Sequence, residues 1–196
     1  FRSHVMPVEA LGFMPETTEV WLQLQAHIEL MLQRGETFAG LSTDLKRAFN
    51  NIGRKQVFMI AQHLGLPSQL LNAWQKFLST FVRRFDVHGN LGNPLSSSSG
   101  FPEGCPLSII AMLVVNWSYH VYMRVYTPQV TTFSFVDNLT LAAREAQLIA
   151  QAYFVLREIC RLFLLHTDDD KTYVWGLTRT DRQQLAQLHF PCLSDA

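Results

Sequence analysis

The sequence has few cysteines and no excess charge of either sign. Its 196 residues include 3 cysteines, and Lys+Arg and Asp+Glu are both 16, which gives a formal net charge of +0. The cysteines form neither a CxxC unit nor an even-numbered framework, so we expect a reduced, intracellular chain. Zero net charge argues against a free-standing nucleic-acid binder. Three basic pairs remain as phosphate contacts or as solvated surface: Lys46-Arg47, Arg54-Lys55 and Arg83-Arg84.

Two further absences argue against a zinc site and a membrane span. The 7 histidines are scattered without metal-ligand spacing. Segment 105–123 contains no Asp, Glu, Lys or Arg, yet polar residues and a proline interrupt it. A spanning helix needs about 20 predominantly apolar residues, so we predict a helix buried beneath a sheet and no membrane association. The interrupting residues are Pro106, Ser108, Asn116, Ser118 and His120.

Hydrophobic residues make up 48% of the chain, enough for a packed core, and no internal repeat is visible. Apolar periodicity and turn residues predict strands alternating with long helices. The predicted helices are 16–34, 53–64, one starting at Ser68, one starting at 105, and 145–164. The predicted strands are 38–45, 81–87, 131–136, 139–142 and 171–176, with turns at 89–92 and 168–170. This order predicts an α+β fold: an antiparallel sheet with a split βαβ core and helices on one face.

Two lone acids follow short apolar strands. Asp44 lies at the end of the first predicted strand, and Asp137 lies in the turn between the strands 131–136 and 139–142. Between them in the sequence is a glycine-containing loop, 99–108. Two carboxylates on neighbouring strands beside such a loop are what a two-metal phosphoryl-transfer site requires, because divalent ions about 4 Å apart can stabilise both the attacking and the leaving oxygen.

Taken together, these segments resemble the palm of a reverse transcriptase of the non-LTR retrotransposon and group II intron kind, with dinoflagellate-type retroelement enzymes as the nearest match. The resemblance covers about 12–176. Its motifs, in chain order, are Gly12-Phe13-Met14-Pro15, Asp44-Leu45-Lys46-Arg47-Ala48-Phe49, Gly100-Phe101-Pro102-Glu103-Gly104-Cys105-Pro106-Leu107-Ser108, Phe135-Val136-Asp137-Asn138 and Lys171-Thr172-Tyr173-Val174-Trp175. Each is weak alone, but together their order is specific.

The resemblance implies a catalytic centre with two Mg²⁺ or Mn²⁺ ions. Asp44 and Asp137 would bind the metal ions as catalytic residues, with the backbone carbonyl of Leu45 as a further ligand. Lys171 would protonate the departing pyrophosphate. The implied activity is RNA-directed DNA polymerisation, with an RNA template, a DNA primer and deoxynucleoside triphosphates as partners. Each strand-end acid alone could instead be a turn or cap residue, and Lys171 a solvated lysine.

The resemblance also implies residues that bind the nucleotide. Phe49 would exclude a 2′-hydroxyl, although a core phenylalanine is the alternative, and Gly104 would let the backbone approach the template and the nucleotide. Glu103 replaces a glutamine found in many relatives. Asn138 replaces a second aspartate, so its amide oxygen could ligate a cation without supplying charge.

We expect the chain to be a fragment of a larger polyprotein. Residues 1–36 would be a partial fingers segment and 37–196 a palm domain without a thumb, so the fragment could be inactive alone. Asn138 and the zero net charge leave open a decayed, polymerase-like scaffold that binds RNA or protein. An RNA-dependent RNA polymerase palm is a further alternative, against which Phe49 and the Pro-Leu-Ser ending of the glycine loop argue.

Overall fold

The structure is a computed structural model and describes residues 18–188 and 190. The helices are α1 (Thr18–Arg34), α2 (Ala48–Asn51), α3 (Arg54–His63), α4 (Ser68–Thr80), α5 (Pro106–Tyr126), α6 (Ala146–Leu162) and α7 (Arg179–Gln187). The strands are β1 (Ala39–Leu45), β2 (Val82–Arg83), β3 (Asp86–Val87), β4 (Asn90–Leu91), β5 (Leu95–Ser96), β6 (Thr131–Phe135), β7 (Asn138–Ala143) and β8 (Thr167–Gly176). None of these helices is long and apolar enough to cross a bilayer.

Four strands form the central sheet, in the order β6-β7-β1-β8. All neighbouring pairs are antiparallel. With α5 connecting β1 to β6 and α6 connecting β7 to β8, this is the split βαβ topology predicted from the sequence. Because β1 and β7 are neighbours in the sheet, the end of β1 and the β6–β7 turn lie at the same edge.

The two faces of the sheet bury different clusters. On one face, α5 and α6 pack against alternating residues of β1 and β7, including Leu41 and Leu141, which are both 0% exposed. On the other face, α1 contributes Leu24 and Met31 to a smaller cluster around Phe133. The predicted helical layer is therefore present, and α1 adds a partial cover on the opposite face.

The segment between α4 and the glycine loop is a hairpin, as the sequence predicts. Strand β2 pairs with β5, and β3 pairs with β4. The turn residues are His88 and Gly89, and both have positive φ. The turn therefore starts one residue before the predicted turn 89–92. Glycine adopts this backbone region without a steric cost.

Other expectations were wrong or fall outside the described residues. Asp168 to Asp170, predicted as a turn, belong to β8, which starts at Thr167. The helices α2 and α7 were not predicted; α7 begins with a capping box in which Thr178 and Asp181 bond each other's backbone N–H. The motif Gly12-Phe13-Met14-Pro15 lies outside the residues that the structure describes.

Candidate active site

The two strand-end acids meet at one edge of the sheet. Asp44 lies opposite Asn138 in the β1–β7 register. The next residue, Leu45, donates a backbone hydrogen bond of 3.0 Å to the carbonyl oxygen of Asp137. Asp44 is 9% exposed and Asp137 is half-buried. Residues 93 positions apart in the sequence are therefore neighbours, as their predicted role requires.

The turn that carries Asp137 has an unusual backbone. Val136 has a φ of 55°, in the left-handed region that β-branched residues rarely occupy. The side-chain amide of Asn116, on α5, donates a hydrogen bond of 3.1 Å to the carbonyl oxygen of Val136. Partial burial raises the pKa of the Asp137 carboxyl, and the negative charge of Asp44 raises it further. The two carboxylates therefore form a site with excess negative charge.

Lys171 partly compensates that charge. Its ammonium group donates a hydrogen bond of 2.5 Å to Asp44 Oδ2. This bond and the charge of Asp44 raise the pKa of Lys171. Lys171 remains 64% exposed, so the pair is reachable by solvent.

A bulge in β8 brings Lys171 to this position. Ser42 pairs with Tyr173, but Asp44 pairs with Asp168, so one residue of β1 lies opposite four residues of β8. Thr172 closes the bulge: its hydroxyl donates to the carbonyl of Asp168 at 2.7 Å and lies 2.6 Å from the Thr43 hydroxyl. The acidic segment 168–170 is thus part of the sheet beside the site.

A cleft of about 370 Å³ lies beside these residues on the face partly covered by α1. Asp44, Asn138 and Lys171 line its polar end. Two exposed aromatic rings, Trp21 on α1 and Tyr173 on β8, also line it. Flat exposed rings of this kind can stack on a nucleobase. The other lining residues are Leu24, Ser42, Thr43, Phe133, Ser134, Phe135 and Thr140.

The glycine loop is attached to the segment that follows Asp44. The Phe101 N–H donates to the carbonyl of Phe49 at 2.6 Å, and the Gly100 N–H donates to the carbonyl of Ile52 at 2.9 Å. Gly100 has a φ of 72°, and a Cβ there would collide with the backbone carbonyl of Asn50. This loop therefore needs glycine at position 100, for backbone conformation and for space.

Side chains also connect the loop to the hairpin. The Asn50 amide donates to Glu103 Oε1 at 2.7 Å and accepts from Arg83 at 3.0 Å. Arg54 donates to the carbonyl oxygens of Gly100 and Ser97 at 2.7 and 2.6 Å. Burial, with the charge of Arg83, lowers the pKa of Arg54. Arg54 therefore bonds the loop backbone. This differs from both roles considered from the sequence, a phosphate contact and a solvated surface residue.

The structure brings together Asp44, Leu45, Asp137, Asn138 and Lys171. The Leu45 side chain is in the core at 1% exposure, so only its backbone can serve the site. Of the predicted site residues, Asp44, Asn138 and Lys171 line the cleft, whereas Asp137 and the others do not. Phe49 is half-buried against the core, whereas Glu103 and Gly104 are exposed on the loop, and a Cβ at Gly104 would meet open space.

Two buried polar residues that contact the site were not predicted, although their spacing in the sequence indicates them. Asn116 and His120 lie four positions apart on one face of an apolar helix, and they served only to argue against a membrane span. Both side chains are buried. Asn116 bonds the turn between β6 and β7, and the ring nitrogens of His120 lie 2.8 Å from the hydroxyls of Thr132 and Ser134 on β6. The contacts of Thr43 with Thr172 had no visible signal.

The residues present fit a divalent cation. The charge of Asp44 raises the pKa of Asp137, and oxygen-rich, negatively charged sites are what Mg²⁺ and Mn²⁺ prefer. Asp44 and Asp137 would hold the metal, with Asn138 within the same turn as a neutral oxygen donor. Within the described residues, no group of three or more His, Cys, Asp or Glu side chains is arranged to hold a metal ion.

Comparison with known families identifies the family of the chain. The profile of the reverse transcriptase (RNA-dependent DNA polymerase) family matches residues 4–184. The match covers most of the chain, so the protein belongs to the reverse transcriptase family. No curated protein matches the chain by sequence.

Solved structures show the same fold at low sequence identity. The telomerase of Candida tropicalis, in its apo form truncated from the C-terminal domain, shares 10% identity with a TM-score of 0.62 and is matched over 82% of this chain and 35% of its own. The telomerase of Candida albicans, solved with a fragment of telomeric RNA, shares 16% identity with a TM-score of 0.66. The match covers 83% of this chain and 32% of that telomerase. The present chain therefore spans about a third of these relatives.

Proposed function

We propose that this chain is the palm of an RNA-directed DNA polymerase that transfers nucleotides with two divalent metal ions. The adjacency of Asp44 and Asp137, set by the hydrogen bond from Leu45 to Asp137, is the observation that carries the proposal. Membership of the reverse transcriptase family supports the reaction class. The fold relatives support the palm architecture.

In this proposal each residue has a distinct role. Asp44 and Asp137 would hold the metal ions, which would supply charge stabilisation for the attacking primer 3′-hydroxyl and for the triphosphate. Lys171 would donate a proton to the departing pyrophosphate. The exposed Lys171 side chain supports this role, because it can move without leaving a buried site.

The nucleotide would be bound between the cleft and the glycine loop. Phe49 would lie under the sugar and disfavour a 2′-hydroxyl, while Gly104, Glu103 and Asn138 would contact the nucleotide. Phe49→Ala tests this assignment, with Phe154→Ala as control because Phe154 is 60% exposed on α6. We expect ribonucleotide incorporation to rise about tenfold or more in Phe49→Ala alone. Equal use of both sugars by the unsubstituted protein would instead favour an RNA-dependent RNA polymerase.

The wider context follows from the sequence resemblance. We propose an intracellular retroelement polyprotein as the parent, an RNA template, a DNA primer and deoxynucleoside triphosphates as partners, and Mg²⁺ or Mn²⁺ as the cofactor. Residues 1–36 would belong to the fingers and 37–196 to the palm. The chain alone is then expected to need the rest of its parent for catalysis.

Primer extension on an RNA template by the longer parent protein tests the activity. Asp44→Ala and Asp137→Ala should abolish extension, and Asp170→Ala, at an exposed position of β8, should retain it. Undiminished extension in either of the first two variants would refute the assignment.

A catalytically decayed scaffold is the second candidate. The exposed Asn138 and the pairing of Asp44 with Lys171 favour it, because both reduce the negative charge available to a metal. Calorimetric titration with Mg²⁺ and a deoxynucleotide discriminates the two. A scaffold predicts no metal-dependent nucleotide binding, whereas a polymerase predicts binding that requires the metal.

A further inference from the structure

Asn116 is a polar residue in an apolar environment. It lies in the middle of α5 and is 0% exposed. Its side-chain N–H bonds the carbonyl of Val136, but its Oδ1 is buried and has no hydrogen-bond partner in the described part of the chain. A buried, unsatisfied polar atom destabilises the folded state, because it loses its hydrogen bonds to water without replacement. An apolar side chain would avoid that cost, so the bond to Val136 is the feature that distinguishes asparagine here.

The bond falls on a strained residue beside Asp137. The left-handed conformation is strained for a residue with a Cβ, and Val136, which is β-branched, adopts it. Such a turn relaxes unless its surroundings hold it. The pairing of Phe135 with Asn138 closes this two-residue turn, and two further hydrogen bonds hold it: the Asn116 amide donates to the carbonyl of Val136, and the Leu45 N–H donates to the carbonyl of Asp137.

The helix that carries Asn116 is itself firmly attached to the sheet. Tyr119 donates to the carbonyl of Thr140 at 3.3 Å, and His120 contacts the Thr132 and Ser134 hydroxyls. Because α5 starts at Pro106, within the C-terminal part of the glycine loop, one rigid element runs from that loop to the Asp137 turn.

We propose that Asn116 is a positioning residue for Asp137: its amide holds the carbonyl of Val136 and so keeps the left-handed turn that places the Asp137 carboxylate beside Asp44. The placement of the turn is a structural claim. Its consequence for metal binding rests on the proposed function.

Asn116→Leu in the full 196-residue chain tests the proposal. Leucine has the same branching as asparagine with larger terminal groups, and it removes the unsatisfied oxygen, so urea unfolding is measured beside the variant to record the cost of the added volume at this buried position. We expect residue 136 to leave the left-handed region, read from backbone NMR chemical shifts without metal. We also expect the affinity for Mn²⁺, measured by electron paramagnetic resonance, to fall about tenfold or more.

A rescue and a control separate positioning from general stability. Glycine adopts positive φ without cost, so Asn116→Leu combined with Val136→Gly should return Mn²⁺ affinity to within about twofold of Val136→Gly alone. Ser118→Ala is the control, because Ser118 is buried on the same helix but bonds its own Val114 carbonyl. It should change neither measurement.

Several results would overturn the proposal. They are a left-handed residue 136 in Asn116→Leu, unchanged Mn²⁺ affinity in that variant, or failure of Val136→Gly to restore the affinity. If the unsubstituted chain binds no Mn²⁺, the proposed function fails instead, and the NMR measurement alone decides whether Asn116 holds the turn.

Discussion

Lys171 donates a short hydrogen bond to Asp44 while most of the Lys171 side chain remains in solvent. The ammonium group occupies an oxygen of Asp44, the more buried of the two site acids. A divalent cation approaching Asp44 would therefore compete with a cation that the protein itself supplies. Because the lysine is exposed, its displacement leaves no buried charge behind.

Lys171→Gln is expected to tighten Mn²⁺ binding up to about fivefold, because an exposed ion pair is weakened by solvent and its loss changes affinity only modestly. In the active parent protein the same change should slow nucleotide incorporation about 10²- to 10⁴-fold, since it removes the general acid. Titration of Mn²⁺ and single-turnover kinetics measure the two effects. Lys55→Gln, an equal charge change at an exposed position of α3, serves as the control. Weaker Mn²⁺ binding by Lys171→Gln would contradict the competition.

Asp137→Asn should stabilise the protein at neutral pH while it weakens metal binding. Because the pKa of Asp137 is raised, the folded state binds the proton more tightly than the unfolded state, and stability falls as pH rises from the ordinary carboxyl pKa through the raised one. The stability gain of the variant should therefore be present at pH 7 and absent below about pH 3, where the carboxyl is protonated in both states. Urea unfolding at both pH values measures it, with the exposed Asp170→Asn as control. A loss of stability at pH 7 would show that burial and the charge of Asp44 do not destabilise the ionised Asp137 carboxylate.

Two glycines of one loop should respond differently to the same substitution. Gly100 and Gly104 both have positive φ, which costs alanine about 1–2 kcal/mol. Only at Gly100 would the new Cβ collide with a backbone atom, the carbonyl oxygen of Asn50. Urea unfolding should show a loss of about 1 kcal/mol for Gly104→Ala and at least about 2 kcal/mol more for Gly100→Ala. Equal losses would mean that the loop can move away from Asn50.

His120 should make the fold sensitive to acid. Burial lowers the pKa of this histidine from 6.5 to about 3, so it is neutral in the folded protein but protonates when the chain unfolds in mild acid. The stabilisation from the neutral imidazole is fully present above about pH 6.5. As the pH falls toward 3 this stabilisation is lost, and the free energy of unfolding decreases by about 3–5 kcal/mol. His120→Gln should flatten the dependence of the free energy of unfolding on pH in this range, whereas His166→Gln, at an exposed position, should leave it unchanged. An unaltered pH dependence in His120→Gln would assign the acid sensitivity to other groups.

Much of the fold was predictable because it depends on local patterns. Apolar spacing identified α1, α3 and α6, and the strand-end position of Asp44 followed from the apolar residues before it. Asp168 to Asp170 were misassigned because three acids resemble a solvated turn by composition. Asp168 pairs with Asp44 of β1, and the two following acids belong to the bulge of β8, which side-chain polarity does not exclude. Thr178 and Asp181 have the spacing of a capping box, which indicates the start of a helix at α7, although this helix was not predicted.

The sequence by itself determined that two lone acids follow strands and that a glycine loop lies between them, because period-two alternation and turn chemistry are local properties of the chain. Only the tertiary structure decided that Lys171 reaches Asp44 through a four-residue bulge and that Asn116 holds the turn before Asp137. Those relationships depend on strand register and on the depth at which α5 packs, which are set by contacts between residues 20 to 127 positions apart.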